Sequence, residues 1–142
     1  MRNVHINLIY SQIFFGLVCH RQGKDVTLLT YGKTLDNCLA AAEILSEQGV
    51  EATVLRLLEL SQLPVEAISA AVTGNHLVVV EEISRNCGIA PELSVSLQGK
   101  CRVHGMDLGA DFVTHGSLAK LYSLCGLDAD AIAAKIREVL TQ

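Results

Sequence analysis

Tryptophan is missing from this chain altogether, and tyrosine and phenylalanine supply only three residues each. Its core must therefore be built from Leu, Val, Ile and Ala, which suits helices packed on a parallel sheet. Basic residues are also scarce, 11 against 15 acidic ones for a net charge of −4. With no basic stripe and no interleaved aromatics, nucleic acid is not expected as a partner. No C-x-x-C pair occurs among the five cysteines, and Cys19-His20 alone supplies no zinc site. Irregular spacing predicts a reduced, cytoplasmic chain with mostly buried thiols. There is no G-x-G-x-x-G, no G-x-x-x-x-G-K-[ST] and no G-x-S-x-G, so dinucleotide, P-loop and nucleophile-elbow chemistry find no support. His104 and His115 have no evident nucleophile beside them. The turn "YGKTL" before a helix could hold an anion with help from Lys33, although most such turns hold none.

At 142 residues the chain suits one compact domain. Its start, "MRNVHINLIYSQIFFGLVC", sketches a secretory signal, but Asn7, Ser11 and Gln12 interrupt it and no small-x-small site closes it. It also falls short of the roughly 20 apolar residues of a membrane span. Residues 1–22 are read as a leader or connector arm, either a strand or an imperfectly packed segment, and 23–142 as the domain.

Beyond the arm, strand and helix patterns alternate. "DVTLLTYG" (25–32), "VEATVLRLL" (50–58), "HLVVVEE" (76–82) and "CRVHGMDLG" (101–109) read as strands. Between and after them, helices are predicted over 34–49, 63–75, 90–100, 117–126 and 128–140. Thr34 and Asp128 are the expected N-caps, Gly49 the helix stop, and Pro64 and Pro91 sit in first turns. Such β/α alternation predicts an α/β fold with a mainly parallel sheet and helices on both faces.

Glu81 and Glu82 close the valine-rich strand, where ligands of α/β proteins commonly sit. As neighbours in a strand they point to opposite faces. One is expected to cap or salt-bridge a nearby helix while the other meets solvent, with Arg85 close enough to pair.

"DVTLLTYGKTLDNCLAAAEILSEQGVEATVLRL", "LVVVEE" followed by Gly88, and "HGSLAKLYSLCGLDADAIAAKIREVL" resemble the C-terminal domain of the transketolase family, most of all its 1-deoxy-D-xylulose-5-phosphate synthase branch. The dehydrogenase beta subunits of 2-oxo acid complexes are similar too. The resemblance implies a three-layer α/β/α domain with a five-stranded, mostly parallel mixed sheet. In the complete enzymes, thiamine diphosphate and Mg2+ are held by two other domains, one carrying a Gly-Asp-Gly signature that this sequence lacks. The implied role is structural, in dimer and interdomain packing, with no catalytic, cofactor or metal residue in this chain and no activity alone. The implied partner is the chain that supplies the thiamine-diphosphate-binding domains, or a second copy in a homodimer. Glu81, Glu82, Arg85, His115 and Gly116 are the candidate interdomain or ligand contacts. His115 is otherwise expected to hydrogen-bond and fix its own loop.

The sequence also departs from the family. Cys87 and Ala90 stand where the synthase branch carries glycines around Gly88, and Leu58 stands where it carries an arginine. Leucine cannot give the bidentate recognition of phosphate that arginine gives. Two further readings stay open: a free-standing interaction or regulatory module, and a small-metabolite-binding protein using a cleft near Glu81 and His115.

Overall fold

The computed structural model describes residues 16–142. Five strands, β1 (Leu17–Arg21), β2 (Val26–Thr30), β3 (Ala52–Leu57), β4 (His76–Val80) and β5 (Arg102–Met106), form one sheet in the order β1-β3-β2-β4-β5. β2, β3, β4 and β5 run parallel, and β1 lies antiparallel on the outer edge of β3. Five helices occur among the described residues: α1 (Thr34–Glu47), α2 (Val65–Ala71), α3 (Ala90–Ser96), α4 (Leu118–Cys125) and α5 (Ala129–Leu140). The mixed α/β sheet is the one the resemblance implies. Its antiparallel strand, Leu17–Arg21, comes from the segment read as a connector; residues 1–15 lie outside the described residues.

β2 and β4 are buried at every position, as near-continuous apolar runs in central parallel strands should be. Alternate residues feed two cores. Leu28, Val78 and Val80 pack with Leu45 of α1 and Ile132, Ile136 and Val139 of α5. Leu29, Leu77 and Val79 face the other way, onto Ile68 of α2 and Leu93 of α3. Each such buried aliphatic side chain contributes roughly 1.5–3 kcal/mol over leaving it exposed.

Helix starts lie within two residues of the expected ones, but α2 and α3 stop four residues early, at Ala71 and Ser96 in place of 75 and 100, and Pro64 precedes α2 as its N-cap. Asp128 Oδ1 accepts from the Ala131 N–H at 2.9 Å, the cap expected for α5. Gly49, at φ +80°, ends α1 with bonds from Gly49 N–H to Ser46 O and from Val50 N–H to Leu45 O. That pair of bonds is the Schellman arrangement, which needs a left-handed residue just past the helix. Thr34 is not the N-cap of α1. Its hydroxyl turns back to donate to Tyr31 O at 2.9 Å, and Lys33 occupies the cap with no side-chain bond. The thiols are also more exposed than expected: Cys38 is buried, Cys19, Cys101 and Cys125 are half-buried, and Cys87 is exposed. Burial pushes the Cys38 thiol up to about 12, so it is inert near neutrality.

Arg21 ties the β1 edge down, with Nη1 at 2.6 Å from Glu43 and Nη2 at 3.1 Å from Glu51. No helix among the described residues is long and apolar enough to cross a membrane.

Candidate functional site

β2 and β4 pair in register from Thr27 with Leu77 to Thr30 with Val80, so the next residues, Tyr31 and Glu81, leave the sheet side by side. Here the sheet order turns, since β3 lies on one side of β2 and β4 on the other. In open α/β sheets this crevice is the usual ligand seat. In this chain it is filled from within. Glu81 is only 2% exposed. Its Oε1 accepts from Ile89 N–H at 2.9 Å and Ala90 N–H at 3.0 Å, while Oε2 accepts from Ile89 N–H at 2.9 Å and from the Tyr31 hydroxyl at 3.3 Å. A carboxylate therefore sits on the first free amides of α3, where an incoming anion would otherwise be held.

Gly88 makes this possible. A Cβ placed on it would stand 1.3 Å from Glu81 Oε2, so the glycine is required by close approach. Positive φ is needed only one position before Cys87, at Asn86, which adopts +59°. Cys87 and Ala90 keep ordinary backbone, so neither position requires the glycine that Gly88 does. Pro91 occupies the first turn of α3, where its missing N–H costs nothing.

Glu82 turns to the opposite face, as adjacent strand-end residues should, and accepts from the Tyr122 hydroxyl of α4 at 3.0 Å. The two tyrosines are pushed up to about 12 by partial burial and by the carboxylates they donate to, Glu81 for Tyr31 and Glu82 for Tyr122. Arg85 pairs with neither glutamate; the ion pairs among the described residues are Arg21 with Glu43 and Glu51, and Lys135 with Glu138. Its backbone N–H instead donates to Gly109 O at 2.9 Å, and its side chain is exposed beside the loop after β5.

His115 and Gly116 lie in that loop, both exposed. The loop's end is held by Ser117, whose Oγ caps α4 by accepting from Lys120 N–H at 3.4 Å, and not by a hydrogen bond from His115. Two clefts open at this end of the sheet. One, about 260 Å³, is lined by Glu81, Gly88, Pro91, Gly105 and Asp107. The other, about 690 Å³, is lined by Arg85, Asp107, Phe112, Val113 and Leu124 among others. His115 lines neither, so Glu81 and His115 do not meet in either of these clefts. Phe112 stands 93% exposed and Leu124 68%, a surface that the sequence reading missed. Its one signal was a lone aromatic residue in a polar loop, "GADFVTHG". Tyr31 and Tyr122 were missed as well, because strand register brings the first to Glu81 and the packing of α4 brings the second to Glu82. No group of three or more His, Cys, Asp or Glu side chains among the described residues could hold a metal ion.

This geometry accords with comparisons to known proteins. The family model "Transketolase, C-terminal domain" matches residues 17–132. A 1-deoxy-D-xylulose-5-phosphate synthase from Burkholderia pseudomallei is 38% identical over 120 residues, covering 82% of this chain and 18% of the synthase. The beta subunit of an acetoin:2,6-dichlorophenolindophenol oxidoreductase from Cupriavidus necator is 38% identical over 78 residues, 54% of this chain and 23% of that subunit. The chain thus spans about a fifth of the length of these curated relatives. Among solved structures, a split-gene transketolase described as an inactive beta4 tetramer superposes with a TM-score of 0.77 at 24% identity, covering 88% of this chain and 42% of that one. That likeness speaks for the fold, and the family match speaks for descent: this chain belongs to the transketolase C-terminal domain family.

Proposed function

We propose that this chain is the non-catalytic C-terminal lobe of a transketolase-like or 1-deoxy-D-xylulose-5-phosphate synthase-like transferase, acting in the cytoplasm with a chain or domains that bind thiamine diphosphate and Mg2+. The observation that carries this reading is the closed crevice at β2 and β4. Glu81 spends its oxygens on Ile89, Ala90 and Tyr31, and so is not available to a substrate or cofactor. Among the described residues no group of three or more metal-ligating side chains could hold the metal.

Interdomain contact falls to exposed residues of the turn after β4 and of the loop after β5. Arg85, Glu82, His115 and Gly116 are exposed, whereas Glu81 is internal. A split-gene transketolase of the same fold is described as an inactive beta4 tetramer, which suits a lobe without activity of its own. A homodimer of the present chain is part of the same proposal.

A second reading, a free-standing interaction module, draws on one residue. Leu58, at the end of β3, is 57% exposed at the position where the resemblance places a phosphate-binding arginine. Co-expression with the thiamine-diphosphate-binding domains of a related synthase separates the two. Capture of those domains together with restored transferase activity supports the lobe, while stable folding with no capture supports the module. Tight uptake of thiamine diphosphate and Mg2+ by the isolated chain, read by calorimetry, would overturn both.

A further inference from the structure

At the opposite end of the sheet, His76 of β4 and His104 of the edge strand β5 meet ring to ring, with His76 Nδ1 3.0 Å from His104 Nε2. The ring centroids are 5.2 Å apart and the planes are tilted by 32°. The centroid separation exceeds the nitrogen separation by about the two ring radii, so the nitrogens point head-on at one another. A chelated metal would instead need both lone pairs turned toward a common point. Each neutral imidazole carries one N–H and one lone pair, so head-on contact is a hydrogen bond holding a single proton between the rings. His76 is only 9% exposed, which makes this polar contact costly to break.

The surroundings are mostly cationic. Arg102 lies on β5 itself, and its Nη1 donates to Gln142 O at 3.4 Å. Lys135 and Glu138 face the pair from α5 and bond to each other at 3.3 Å. Burial, then the charges of His76, Lys135 and Arg102, hold His104 below the usual imidazole range, with Glu138 opposing. Among the described residues β5 has a strand partner on one side only, so its hold on the sheet there rests on the β4 ladder, on α3 and on this contact.

We propose that His76 and His104 form an acid-sensitive clasp: the pair accepts one proton and stays joined, and the second proton sets two cations against each other and frees edge strand β5. One charged ring can still donate to its neutral neighbour, so release belongs to the second protonation alone. The clasp depends only on this chain's own residues and not on the partner proposed above.

The test is hydrogen exchange by NMR on the isolated chain at about pH 7.5 and about pH 5, corrected for intrinsic rates, across a range where imidazoles titrate. Protection of the β5 amides is expected to fall about tenfold more than that of the β2 amides, the equivalent of one pKa unit of linkage. His104→Gln and His76→Gln, each leaving a single imidazole in the contact, should abolish that difference. Should either variant fold poorly, ring carbon shifts of the unmodified chain provide the second readout: two separated protonation steps, with β5 loosening at the lower one. Equal loss of protection in β2 and β5, or loosening already complete at the first step, would overturn the proposal.

Discussion

The turn after β4 and the loop after β5 leave neighbouring strands at the same end of the sheet, yet they solve the problem of polar groups in different ways. The first encloses a carboxylate at 2% exposure and gives its oxygens two amides and a phenol. The second keeps its hydrogen bonds near its base, Leu108 N–H to Ile83 O and Gly109 N–H to Asp107 Oδ1, and leaves Phe112 in solvent. The contrast separates what this lobe completes alone from what it leaves open for another surface. An exposed aromatic residue beside a wide cleft is a surface that the described residues leave uncovered.

The largest expected effect comes from breaking the closed side. Gly88→Ala must push the Glu81 carboxylate away from its amides, and is expected to cost about 3 kcal/mol, read as a shift of the urea midpoint. Adding Glu81→Ala to Gly88→Ala should cost clearly less than the two single changes summed, because both act on one contact. Additive values would show that the glycine serves something else.

An intermediate effect is expected in alkali. Tyr31 and Tyr122 ionise near 12 in the fold against 10.0 when unperturbed. A raised folded pKa means that the stability they contribute is whole below about pH 10 and fades as the pH climbs toward 12. Unfolding measured across that window should lose this slope in Tyr31→Phe and in Tyr122→Phe. Spectroscopic titration should show the phenolate bands of both residues arriving late.

The smallest effect on stability belongs to the open side. Phe112→Ser should move the unfolding free energy by less than about 0.5 kcal/mol, the usual range for exposed positions. The same change should weaken capture of the thiamine-diphosphate-binding domains at least tenfold if this loop is the contact, as an exposed aromatic anchor would. Unchanged capture would place the contact elsewhere on the lobe.

How much of this was readable beforehand follows the range of each interaction. Periodicity gave the alternating elements, since the valines of β4 and the apolar stripe of α5 are patterns along the chain itself. The opposite facing of Glu81 and Glu82 also follows from strand geometry alone. The expected pairing with Arg85 failed because reach was judged along the sequence, whereas Arg85 bonds through its backbone to the far loop at Gly109. Tyr31, Tyr122 and the His76–His104 contact all depend on which strand or helix lies beside which. No spacing rule within one segment encodes that. The short first strand, Leu17–Arg21, was obscured by its place within an apolar start that also resembled a leader.

The fit of Gly88 against Glu81 has a consequence for how this domain can vary. The two positions form a single unit of inheritance: a side chain cannot be gained at one while the carboxylate stays in place at the other. A descendant that exchanged the glycine first would have to find a new cover for the Ile89 and Ala90 amides in the same step. The shortest viable route removes the acid before it fills the gap.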